Sequence, residues 1–196
     1  DVTSANVVGY QNFKPTTGGN TFVVTTFKQV GVEKEDMTVA AFSPVSEDRL
    51  NGWQFRSDYL VLLNANGTQN TAKKYTYANE GFVSALASRG LTKTGWYLFS
   101  DVYGKTDFTG IAPRDSDKIP YGTAVLISTS KADNNVNFSG EVLAGTVEIP
   151  LVQGGNTFTG YALPCDTTLD KIKMNDETRL TGFKFRSDYI ACLNAN

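Results

Sequence analysis

An internal repeat constrains this chain more than any other feature. Gly18-Gly19-Asn20-Thr21-Phe22 returns as Gly154-Gly155-Asn156-Thr157-Phe158, and Phe55-Arg56-Ser57-Asp58-Tyr59 returns as Phe185-Arg186-Ser187-Asp188-Tyr189. Around the later landmark the match runs from Arg49-Leu50-Asn51-Gly52-Trp53, against Arg179-Leu180-Thr181-Gly182-Phe183, to Leu63-Asn64-Ala65-Asn66, against Leu193-Asn194-Ala195-Asn196. A period of about 130 residues lies far outside the roughly 20–50 residues of solenoids and propellers, so a full unit is a domain and not a blade. The first copy is expected over residues 1–140 and a partial second copy over 141–196, with no counterpart of the segment from Gly67 onward. A sheet missing strands leaves unpaired backbone groups that template pairing. The second copy is therefore expected to pack on the first or to be completed by another subunit. In the second case Ile190 and Leu193 would lie at the contact, and a head-to-tail arrangement could propagate into a ring or fibre.

Strand and turn signals dominate. Apolar, β-branched or aromatic runs occur at Val7-Val8, Thr21–Phe27, Met37–Phe42, Trp53–Leu63, Lys74–Tyr77, Trp96–Phe99, Thr123–Ser128, Asn137–Val142 and Phe183–Leu193, punctuated by Gly, Asn, Asp and Pro clusters. This pattern predicts an all-β fold, a β-sandwich of jelly-roll-like or Greek-key type. At most one or two short helices are expected. One lies over Glu80–Ser88, with Gly90 placed to end it, and the other is a short turn at Leu169-Asp170-Lys171-Ile172.

The chain contains no histidine. That removes Ser-His-Asp and Cys-His nucleophile activation, His-ligated zinc and the commonest general base near neutral pH. No catalytic, cofactor-binding or metal-ligating set is read from the sequence, and the chain is not expected to be an enzyme. A carboxylate-only glycoside hydrolase is the third reading, since carboxylate separation is a property of the fold. The formal charge is -2, with no basic run interleaved with aromatics, so nucleic acid is not an expected partner. No apolar run approaches the roughly 20 residues of a membrane helix, so no transmembrane segment is expected.

A start at Asp1 without a charged and apolar leader suits a mature exported chain. Val7-Val8-Gly9-Tyr10, Ile119-Pro120-Tyr121-Gly122-Thr123-Ala124 and Phe138-Ser139-Gly140-Glu141-Val142 together resemble β-rich tandem repeats in large exported proteins of Gram-negative bacterial envelopes. The resemblance covers most of the chain, implies a secreted or cell-surface location in a bacterium, and carries no activity.

Strand periodicity over Phe55–Leu63 puts Arg56, Asp58, Leu60 and Leu62 on one face. Arg56 and Asp58 are expected to pair and orient the strand or its cross-strand neighbours, a ligand clamp being the alternative, and Arg186 and Asp188 ahead of Ile190 offer the same chemistry in the second copy. Cys165 and Cys192 both fall in the second copy. In an exported chain they suggest a disulfide, and two separate buried thiols are the alternative, since Leu62 fills the place of Cys192 in the first copy.

Trp53, Trp96, Tyr97, Tyr75 and Tyr77 could form a platform for sugar rings or a core, and Phe183 in the place of Trp53 speaks for the core. Asp115-Ser116-Asp117 and Asp133-Asn134-Asn135 are fragments of a calcium loop or simple turn formers, and no other cofactor is expected. Asn66-Gly67-Thr68 and Asn137-Phe138-Ser139 fit the short glycosylation sequon. The leading function is a structural protein that self-assembles through β-edge contacts into a homo-oligomer or polymer. The alternative is a module binding glycan or another protein.

Overall fold

A computed structural model describes residues 8–25, 27–28, 37–45, 53–130, 135–142, 151, 156–159, 168–169 and 188–191. In chain order the strands are β1 (Val8–Phe13), β2 (Asn20–Val24), β3 (Phe27–Lys28), β4 (Met37–Thr38), β5 (Phe42–Val45), β6 (Tyr59–Leu63) and β7 (Gln69–Ala78). After helix α1 (Glu80–Leu86) come β8 (Gly95–Leu98), helix α2 (Phe99–Val102), β9 (Lys118–Ile119), β10 (Ala124–Ser128) and β11 (Asn135–Val142). The chain is thus mostly antiparallel sheet, as its punctuation predicts.

Five strands form one antiparallel sheet in the order β2-β10-β6-β7-β8. In a second sheet β11 pairs with β1 along one side, while β3 and β5 share its other side. The pair β4-β9 stands apart. Leu60, Leu62, Tyr75, Trp96, Val125 and Ile127 of the five-stranded sheet meet Phe27, Met37, Phe42, Val136 and Phe138 of the other strands in one buried cluster. Burial of these apolar surfaces is the main stabilising term. Within the cluster Phe138 packs between Phe27 and Phe42, with ring centroids 5.0 and 4.7 Å away, and Trp96 meets the edge of Trp53 at 5.5 Å.

The close approach of Phe27 explains a glycine pair. Gly9 and Gly140 are partners in the β1-β11 ladder, and a Cβ on either would lie 2.6 Å from a Phe27 carbon. Beside it, Lys28 and Glu141 are also ladder partners and close a 3.1 Å ion pair.

The apolar runs of β6 and β10 lack the alternation of a one-faced strand because both of their faces are buried. Leu60 and Leu62 enter the cluster between the sheets. Val61 and Leu63 join Ala124 and Leu126 in another on the outer face. At the β8 side, α1 and the loop after it cover a third cluster of Phe55, Ala78, Leu91, Tyr97, Val102 and Phe108. Helix α1 begins where the Asn79 side chain accepts from Phe82 N at 3.0 Å. A 3-10 turn over Ala87–Arg89 extends it, and Gly90 ends it at φ 85°, as the sequence predicts. The short turn expected at 169–172 lies almost wholly outside the described residues, with only Leu169 in a 3-10 turn.

Several strand expectations are corrected, and in the Met37–Phe42 run a 3-10 turn over Val39–Ala41 separates β4 from β5. The Trp53–Leu63 run becomes strand only at Tyr59. Before it the chain turns, with Gln54 O accepting from Ser57 N and Asp58 N, and Arg56 stands at φ 70°. In the Phe183–Leu193 run the described residues, 188–191, are not strand.

Candidate functional surface

The predicted Arg56 and Asp58 pair does not form, because a turn sends the two side chains to different places. Asp58 is buried, 2% exposed. Its carboxylate accepts from Gln54 N at 2.9 Å, Thr129 Oγ1 at 3.2 Å and Ser130 N at 2.9 Å, so it ties the turn entering β6 to the end of β10. Arg56 donates from Nη1 to Lys105 O at 3.0 Å and lies 5.6 Å over the Phe108 ring. Its backbone N–H donates to Thr76 Oγ1, which holds the unfavourable φ in place.

In the second copy Asp188 and Ile190 are exposed, the latter at 50%, while Arg186 and Leu193 lie outside the described residues. Cys165 and Cys192 also lie outside them.

The five aromatics lie in the core, as the Phe183 replacement indicates, and form no platform. Trp53, Trp96, Tyr97 and Tyr75 are at most 1% exposed, and Tyr77 packs edge-on against Trp96. Tyr75 donates its phenol to Asp117 at 2.9 Å. Burial first, and then that carboxylate, raise its pKa well above the usual tyrosine value. Asp117 also pairs with Lys73 and Arg114, and Asp115 accepts from Trp96 N at 2.8 Å. The carboxylates of the Asp115-Ser116-Asp117 fragment are thus engaged by protein donors. Among the described residues no group of three His, Cys, Asp or Glu could hold a metal ion. No described helix is long and apolar enough to cross a membrane.

Two features converge on the outer face of the five-stranded sheet. At its centre Phe158, from the second copy, packs on the Val61, Leu63, Ala124 and Leu126 cluster and donates its N–H to Ala65 O at 3.2 Å. Its ring lies over Gly67, where a Cβ would approach Phe158 Cε2 to 2.2 Å and φ is 83°. Asn64 and Thr68 close this turn, with Asn64 N donating to Thr68 O. Phe22, which holds the same place in the first copy, sits on β2 opposite Leu126 and is 41% exposed.

At the margin Tyr59, Lys74, Phe99 and Tyr103 form a stack. Lys74 Nζ lies 3.6 Å from the Tyr59 ring centre and 4.3 Å from that of Phe99, and Phe99 stacks on Tyr103 at 5.0 Å and 20°. The sequence reading missed this stack. Its only linear sign is the i, i+4 spacing of Phe99 and Tyr103.

The structure also has an open depression of about 590 Å³ lined by Glu80, Val83, Ser84, Thr92, Lys93 and Thr94, which holds one carboxylate. Paired carboxylates of glycoside-hydrolase type are not found there. No family model matches this chain, and no curated protein and no solved structure matches it, so any function rests on the geometry of the outer face.

Proposed function

We propose that this chain is an exported, non-enzymatic structural protein whose β units dock on one another within a chain and between chains. The observation that carries the proposal is the seat of Phe158. A residue of the second copy covers the apolar outer face of the first copy's sheet, over a glycine that leaves room for its ring. The same pentapeptide occurs open in the first copy, where Phe22 stands exposed on β2, a strand whose one partner among the described residues is β10. A motif seated once and exposed once is suited to joining copies. The β2 edge, unpaired among the described residues, offers backbone groups for strand addition.

At the other end of the sheet the edge of β8 is less open, because Arg114 N donates to Trp96 O and Asp115 accepts from Trp96 N. Two sheets facing across one core support a β-sandwich as the architecture of the unit. The envelope-repeat resemblance and the absence of histidine support the surface, non-catalytic reading, and a Cys165–Cys192 bridge would suit such a location.

Sedimentation at rising protein concentration tests the proposal. The wild-type chain is expected to self-associate, and Phe22→Glu, at a half-exposed site, is expected to remain folded and monomeric. A wild-type chain that stays monomeric at the highest concentration, or a Phe22→Glu chain that assembles equally well, refutes it.

A further inference from the structure

Residues of an antiparallel ladder alternate, one turning its N–H and C=O toward one neighbouring strand and the next turning them toward the other side. Thr25 N donates to Thr123 O at 3.1 Å, directly after the β2-β10 ladder. By alternation Val23 and Thr21 also turn their backbone groups to β10. Asn20, Phe22 and Val24 turn theirs to the opposite side, where no strand among the described residues meets them.

Proteins blunt such an edge with charged side chains, proline or a bulge. Asn20-Thr21-Phe22-Val23-Val24 has neither charge nor proline, and its register with β10 is unbroken. Four of its residues are β-branched or aromatic, types that suit a strand. The opposite edge of the same sheet is covered instead, since Arg114 N donates to Trp96 O and Asp115 accepts from Trp96 N.

The pattern on β2 is its own complement. Its outward residues are spaced evenly about Phe22, the middle of the strand. A second β2 laid antiparallel with Phe22 opposite Phe22 sets Asn20 opposite Val24 at both ends, and each of these pairs can exchange both of its backbone bonds. A slip of two residues in either direction leaves one pair unmade. Phe22 lies on the same sheet face as Leu126 and is 41% exposed, so the two rings meet as a cross-strand aromatic pair.

We propose that β2 pairs with β2 of a second chain about a two-fold axis at Phe22, joining the five-stranded sheets of two chains edge to edge. The inference rests on the docking between chains proposed above and names its contact. A two-fold contact uses the same patch on both subunits and closes at a dimer.

Sedimentation of the full chain is expected to stop at a dimer. Asn20→Pro, at an exposed position, removes an outward N–H while keeping the bonds to β10, and is expected to weaken dimerisation at least about tenfold. This variant keeps Phe22, so a contact made by that side chain alone would survive it. Register is read by disulfide trapping in chains that carry Cys165→Ser and Cys192→Ser. A mixture of Asn20→Cys and Val24→Cys chains is expected to form a mixed disulfide under mild oxidation, and neither chain to link to itself. Thermal melts show that each variant keeps the fold. A chain that stays monomeric at the highest concentration refutes this contact together with the docking it rests on. If the chain associates but grows past a dimer, if folded Asn20→Pro associates equally well, or if the mixed disulfide does not form, the edge pairing is overturned and the docking stands.

Discussion

Asp58 offers the sharpest test of how this fold is held. Replacing it with alanine strips acceptors from two backbone N–H groups, of Gln54 and Ser130, and from the Thr129 hydroxyl. Hydrogen bonds to a charged group contribute about 1.5–3 kcal/mol each, and a buried donor left unpaired costs about 1–3 kcal/mol. Thr129 is 2% exposed, so its hydroxyl has little access to water, whereas the two N–H groups are partly buried and recover some solvation. Counting those two at the low end gives an expected loss of about 3–5 kcal/mol for Asp58→Ala. Asp58→Asn keeps one acceptor oxygen and turns an N–H₂ toward donors, so about 1–2 kcal/mol is expected. Urea unfolding followed by tryptophan fluorescence measures both. Thr129→Val supplies the partner for a double-mutant cycle, in which a coupling of about 1 kcal/mol is expected. A loss below 1 kcal/mol for Asp58→Ala, with an unchanged urea slope, would refute the assignment of Asp58 as the tie between the β6 turn and β10.

Gly67→Ala should destabilise by about 1–3 kcal/mol, from a left-handed φ and from overlap with the Phe158 ring. In a Phe158→Ala background only the φ cost of about 1 kcal/mol should remain, and additive losses in unfolding titrations would show that the ring is not seated there. Trp53 Nε1 is buried without a hydrogen-bond partner among the described residues, so Trp53→Phe should change stability by less than about 1.5 kcal/mol, lost packing being offset by removal of the unpaired N–H. A loss above 3 kcal/mol in the same titration would contradict this. Because the folded-state pKa of Tyr75 is raised above its unfolded value of 10.0, its contribution is complete below pH 10 and is lost as pH rises through the folded value. Unfolding titrations between pH 9 and 12 should therefore show a decline that is shallower in Tyr75→Phe, and identical slopes would contradict the buried phenol.

Much of this architecture is written locally in the chain. Asn79 caps α1 and Gly90 ends it with contacts a few residues away, and the turn clusters separate β-branched runs, so a reading of neighbours suffices for a β-rich protein with a short helix at α1. The repeat is likewise a property of sequence alone. Strand faces and surface sites depend on partners far along the chain. Asp58 is buried because Thr129, 71 positions away, and Ser130, 72 away, come to meet it, and no periodicity within Phe55–Leu63 encodes that meeting. Its counterpart Asp188, in the identical Phe-Arg-Ser-Asp-Tyr sequence, is exposed. The same contrast separates Phe22 from Phe158, and it separates the buried Trp53 and Trp96 from the exposed Tyr103 stack. Strand-forming composition, turns, the ends of α1 and the duplication are legible in the linear chain, because they rest on backbone preferences, short-range bonds and residue order. Tertiary structure alone decided which copy of each motif is buried and which aromatics face solvent, because burial is settled by what the remainder of the chain packs against it.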